Sequence, residues 1–162
     1  MPESPVILTP PGHMQYAPDD PRRYDPAIKL EPYFRQFLAE RFAYKRDHVN
    51  RVGFTLNAKR VQYDLYLRVF GHKTDFWPEG TLVIARIGFK NIKKGHGTAL
   101  LRSLVEHADE VGYAHIAIEC ANANAQAFGV KLGFENYRDN HFITDVATVR
   151  KHLLARQSAA LQ

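Results

Sequence analysis

The stretch TLVIARIGF, Thr81 to Phe89, constrains this chain most. It is apolar at nearly every position over a length that suits one strand, the pattern of a strand buried on both sides. A glycine-bearing loop follows, then a run in which Leu100, Leu101, Leu104, Val105, Ala108 and Val111 recur at helical spacing. Gly112 offers a left-handed stop, and AHIAIEC, Ala114 to Cys120, reads as a second buried strand. Strand, helix and strand in succession cross over right-handed and leave the two strands parallel. An α/β chain is therefore expected, with this pair inside its sheet.

The remaining elements are antiparallel in character. From Lys29 the pattern is helical, with Leu30, Phe34, Phe37, Leu38 and Phe42 on one face, and Pro32 is acceptable there only in the first turn. Val52, Phe54 and Leu56 alternate with polar or small residues. After a turn expected near Asn57 and Ala58, Val61, Tyr63, Leu65, Leu67 and Val69 do the same, which reads as a hairpin with one apolar face. NANAQAFGVKL predicts a short helix ending at Gly133, GFENYR and HFITDV a closing hairpin around Asp139 and Asn140, and the remainder an amphipathic helix. The sheet is thus mixed, mostly antiparallel, with helices on both faces. Residues 1–27 hold most of the nine prolines and read as an extended or looped segment with a short strand at PVILT; residues 28–162 read as one domain.

Composition narrows the setting. Net charge is +5 with eight histidines besides, which favours anionic partners: a phosphorylated cofactor, RNA or an acidic protein surface. The charge is spread along the chain, so a merely basic surface accounts for it equally well. No apolar run approaches the ~20 residues of a membrane span, so no membrane partner is expected, and the first residues lack the features of a signal peptide. One cysteine, Cys120, excludes an internal disulfide and fits the cytoplasm. The histidines show no ligand spacing with Cys120 or with carboxylates, and no metal site is expected.

The loop NIKKGHG raises the question of chemistry. The first N–H groups of a helix have no intrahelical acceptor, and the helix dipole adds positive potential there. Gly95 and Gly97 let backbone approach an anion, Lys93 and Lys94 add charge, and Thr98 adds a hydroxyl. His96 is either a further phosphate contact or a solvent-facing loop residue. The pattern is neither the Rossmann nor the Walker loop, because the third glycine of one and the terminal Gly-Lys-Ser/Thr of the other are absent. A glycine turn that merely starts a helix has the same spelling.

ARIGFKNIKKGHGTALL and CANANAQAFGVKLGF together resemble the two central motifs of the GNAT acetyltransferase superfamily: strand, glycine loop and helix, then an Asn-x-x-Ala to Gly-Phe segment in which Asn122, Ala125, Gly133 and Phe134 fall in register. The resemblance runs from Thr81 to about Val146. It implies a GNAT-like sheet with a splayed parallel strand pair, and acetyl-CoA as co-substrate. The implied cofactor contacts are Ile87, whose backbone would hold the pantetheine arm, with Phe89, Lys93, Lys94, Gly95, His96, Gly97, Thr98, Asn122 and Phe128. The implied activity is direct acyl transfer to an amine, whether on a small molecule, a protein or a charged tRNA. Two positions depart from the pattern. The customary Gln or Arg at the head of the loop is Ile92, and the customary tyrosine that protonates the leaving thiolate is Gly129. Glu119, at the end of the second buried strand, is a candidate base or else a paired strand-end carboxylate. Tyr137 is a candidate replacement acid or else a strand aromatic. Three further readings are a His115–Glu119 pair, Cys120 as a buried small hydrophobe, and Trp77 as the loop aromatic best placed to meet a substrate. A CoA-binding module without transfer activity, an acyltransferase directed at nucleic acid, and a homodimer formed through the N-terminal segment or last helix stay open alternatives.

Overall fold

The computed structural model describes residues 7–9, 13–15, 17, 20–46 and 48–160. A short antiparallel hairpin comes first, β1 (Ile7–Thr9) with β2 (His13–Gln15). The strand expected at PVILT is met by its last three residues, while Pro5 and Val6 lie outside the described residues. A 3-10 turn at Pro21–Tyr24, capped by the Asp20 carboxylate, leads into α1 (Asp25–Arg41). This helix begins four residues before Lys29, with Pro26 in its first turn, and buries Ala27, Leu30, Phe34 and Leu38. Pro32 therefore sits inside the helix and not in its first turn. Its missing N–H frees the carbonyl of Ile28, and both residues are exposed, so water can take the released acceptor.

The next block is a three-stranded meander and not a hairpin: β3 (Val49–Val52), β4 (Thr55–Arg60) and β5 (Tyr63–Val69). Its turns fall at Gly53–Phe54 and Val61–Gln62, while Asn57 and Ala58 lie in the middle of β4. Gly53 supplies the positive φ of the first turn. Ala58 is fully buried beside Leu56, so the small residue that reads as a turn signal is an inward position against a helix.

The remaining elements are β6 (Thr81–Phe89), α2 (His96–Glu106), a single turn α3 (Ala108–Val111) closed by left-handed Gly112, β7 (His115–Ile118), α4 (Ala123–Lys131), β8 (Glu135–Arg138), β9 (His141–Asp145) and α5 (Val146–Ala160). The large sheet has the order β3-β4-β5-β6-β7-β9-β8. Only β6 and β7 run parallel; every other pair is antiparallel. This is the mixed sheet with one parallel pair that the resemblance implies. Inward residues of the central strands, such as Leu65, Leu67, Leu82, Ile84, Ile116 and Ile118, join buried residues of α1, α2, α4 and α5 in one core. On the opposite face Val83 and Ala117 form a smaller patch, which Trp77 covers from the Phe70–Gly80 loop. No helix among the described residues is long and apolar enough to cross a membrane.

Candidate functional site

The site begins where the parallel pair stops. β6 and β7 are in register from Thr81 opposite His115 to Ile84 opposite Ile118, and the Glu119 N–H donates to the Ile84 carbonyl at 3.0 Å. Beyond that point β6 continues to Phe89, while the chain after β7 turns away through Cys120 at φ 50°. The divergence has a local cause. Opposite β5, Tyr66 pairs with Arg86 but Leu67 with Ile84, so Ala85 is an extra residue that bulges β6. A bulge bends its strand and sharpens the local twist.

Backbone polarity inside the gap follows from the register. Lys90 N–H donates to the Gln62 carbonyl, and antiparallel strands bond at every second residue. Gly88 and Arg86 therefore turn their polar groups toward β5. Ile87 and Phe89 turn theirs the other way, into the gap that β7 has left.

The far end of the gap is the glycine loop. Lys93 and Gly95 both have positive φ, 65° and 75°, and Gly95 caps α2. Such alternation turns successive N–H groups to one side. Ala99 N–H is the first to bond within the helix, to the Gly95 carbonyl at 2.9 Å, so the N–H groups of His96, Gly97 and Thr98 have no helical acceptor. Lys93 and Lys94 are exposed. Gly97 lies under the Phe128 ring of α4: a Cβ there would stand 3.1 Å from its tip. Asn122 caps α4, its Oδ1 accepting from the Ala125 N–H at 2.9 Å.

His96 points elsewhere than expected of a phosphate contact. Its ring packs against Phe42 and Phe89, and its Nδ1 accepts from Arg41 Nε at 2.7 Å. Burial, then the charges of Arg41 and Lys94, hold its pKa below the usual imidazole value, so the neutral ring with the proton on Nε2 is favoured. Arg41 also donates from Nη2 to the Lys94 carbonyl at 3.0 Å. Arg41 is the residue that the sequence alone does not point to, because it belongs to another element 53 positions from Lys94.

The candidate catalytic groups are all engaged. Glu119 accepts from Arg68 Nη1 at 2.5 Å, at the point where the strands part. Tyr137 donates its hydroxyl to the Phe76 carbonyl at 2.6 Å and stacks on Trp77. Trp77 itself is only 7% exposed, covered instead of offered to a substrate. His115 does not bond to Glu119, whose partner is Arg68. Cys120, expected buried, is exposed, and its N–H donates to His141 Nδ1 at 3.0 Å. Gly129 is buried, and a Cβ there would lie 3.3 Å from the Cβ of Phe134 and 3.4 Å from Ile118 Cδ1. Among the described residues, no three His, Cys, Asp or Glu side chains gather as metal ligands.

No family model matches the chain, and no curated protein matches it either. Solved structures do. A probable acetyltransferase of the GNAT family from Chromobacterium violaceum is 15% identical over 88% of this chain and 96% of its own, with a TM-score of 0.43. Tetrahymena GCN5 is 13% identical over 74% and 86%, with a TM-score of 0.42. AtaTR bound with AcCoA is 15% identical over 60% and 68%, also at 0.42. At such scores these likenesses carry no weight for what this chain binds or does. The sheet order, the single parallel pair and the glycine loop stand on the chain's own geometry.

Proposed function

We propose that this chain binds an acyl-CoA and transfers its acyl group to an amine, as a divergent member of the GNAT superfamily. The observation that carries the reading is the gap opened by the Ala85 bulge, which runs from paired strands, past the outward backbone of Ile87 and Phe89, to the start of α2. A pantetheine arm carries amides, which suit an unpaired strand edge. A diphosphate suits the free N–H groups at His96, Gly97 and Thr98 beside Lys93 and Lys94. In this reading Phe128 flanks the diphosphate as an apolar wall over Gly97, and His96 and Asn122 support the site by bonding Arg41 and capping α4. The amine attacks the thioester carbonyl, an N–H on the open edge of β6 stabilises the oxyanion, and the CoA thiolate leaves. Glu119 takes the amine's proton once Arg68 yields it, and Tyr137 reaches the thiolate only by releasing the Phe76 carbonyl.

Those last two conditions favour a second reading, a CoA-binding module that does not transfer. Both candidate groups are already bonded, and a side chain at the Gly129 position would begin only 3.3 Å from Phe134 and 3.4 Å from Ile118. One experiment separates the readings: titration with acetyl-CoA, followed by assay of free thiol against a panel of small amines, amine-bearing peptides and aminoacyl-tRNA. Binding with thiol release supports the transferase, and binding without release from any acceptor supports the module. Absence of binding overturns both.

A further inference from the structure

We propose that Arg41 is a direct ligand of the diphosphate at the glycine loop, supplying from α1 the polar contact that the loop lacks at Ile92; this rests on the acyl-CoA reading above. The guanidinium reaches across the loop from the last turn of α1. It binds His96 Nδ1 and the Lys94 carbonyl, and its Nη2 lies 3.8 Å from where a side chain on Gly95 would begin. Two of its five N–H donors are thereby used, and three remain. Both acceptors are neutral, so neither bond offsets the guanidinium's charge.

The electrostatics of this placement require an explanation. Arg41 binds the Lys94 carbonyl at the positive end of α2, where Lys93 and Lys94 are also exposed, and among the described residues no carboxylate pairs with any of the three side chains. The negative end of α1 offsets part of Arg41's charge. Arg68 and Arg86, by contrast, are paired with Glu119 and Asp64. Gathering three cations at a helix start is unfavourable until an anion of at least two charges lies among them, and a diphosphate supplies that charge.

Geometry makes arginine the fitting residue. A planar fork holds the imidazole and the carbonyl with one edge while directing its remaining donors outward. His96 is fixed between Phe42 and Phe89, so it sets the plane of the guanidinium, which makes His96 a positioning residue. Ile92, 67% exposed at the head of the loop, contributes no donor there, and Arg41 restores one from a different element.

The test is calorimetric titration of the unaltered protein and Arg41→Met with CoA, with inorganic pyrophosphate, and with S-acetyl-pantetheine, which lacks the diphosphate. Loss of a charge-assisted contact predicts about tenfold weaker CoA and pyrophosphate binding, or more, with S-acetyl-pantetheine unchanged. Arg41→Lys should recover only part of the loss, and Ile92→Arg placed in the Arg41→Met background should restore affinity. Equal CoA affinity in the unaltered protein and Arg41→Met overturns the Arg41 assignment while leaving the acyl-CoA reading intact. If the unaltered protein binds no CoA, that reading falls, and the pyrophosphate arm then judges Arg41 alone: equal affinity, or no binding to either protein, overturns it. Should Arg41→Met fold poorly, Arg41→Gln, which lacks the charge but keeps a donor for the loop, provides the second readout, and CoA and pyrophosphate affinities equal to those of the unaltered protein overturn the assignment.

Discussion

At Gly129 a single missing side chain decides between packing and chemistry. Its Cα faces Phe134 and Ile118 so closely that one methyl group already meets tight contacts. Gly129→Ala should cost about 1–3 kcal/mol, read by urea denaturation, from overpacking. Gly129→Tyr should lose far more and yield no transfer activity, so a tyrosine restored there with full stability would contradict the packing account. His96 gives a second outcome at this scale. Its folded-state pKa is lowered, so its contribution to stability is present above the unfolded imidazole value and fades as pH falls through the folded one. His72, depressed by burial and then by Arg23, works in the same direction. The melting temperature should fall between about pH 7.5 and about pH 5.5, a range in which carboxylates stay ionised. His96→Gln should flatten part of that fall; an unchanged slope would remove His96 from the account.

Elements differ in how openly the sequence announces them. The glycine loop, α2 and the Gly112 stop are legible because their signals are local: apolar spacing, a glycine at each end and two lysines within a few residues. The meander is hard to read because Ala58, a small inward residue, spells a turn, while Gly53 supplies the real one. The bulge is illegible for a different reason. Ala85 is unremarkable in its own strand, and only the pairing of Tyr66 and Leu67 on β5 makes it surplus. Deleting Ala85 should let Arg86 follow Ile84 directly opposite Tyr66 and Leu67, straightening β6 and narrowing its parting from β7. The expected outcome is a folded chain that has lost CoA affinity, checked by titration beside circular dichroism. Retained affinity would mean that the gap does not depend on the bulge. At the far end of α4, Gly133 holds φ 91°, and a methyl group added to it would stand only 2.5 Å from the Thr148 side chain of α5. Gly133→Ala should therefore destabilise by about 2 kcal/mol or more in the same denaturation assay, since strain and overlap add.

Across the whole molecule, one core joins α1, α2, α4 and α5 to the sheet, and the two ends of the site come from parts of the chain that only this core brings together. Arg41 meets Lys94 and His96 over more than fifty positions, which is why no local pattern points to it. A ligand that binds only the folded chain should raise its stability by mass action, by about 2.7 kcal/mol at a hundredfold excess over the dissociation constant. Acetyl-CoA should accordingly shift the melting temperature upward in a concentration-dependent way, and S-acetyl-pantetheine by less at equal concentration. Equal shifts would show that the loop end adds nothing.

The parting of β6 from β7 leaves a sheet with one place in its ladder vacant. Ile87 and Phe89 present amides that neither neighbouring strand receives, so a thread of alternating donors and acceptors laid there would act as an additional strand made of cofactor instead of peptide. Hydrogen–deuterium exchange reads this directly. Those two amides should exchange far faster than their neighbours Arg86 and Gly88 in the free protein, and should slow selectively once an acyl-CoA occupies the gap. Continued fast exchange at saturating acyl-CoA would mean that the ligand's chain does not run along this edge.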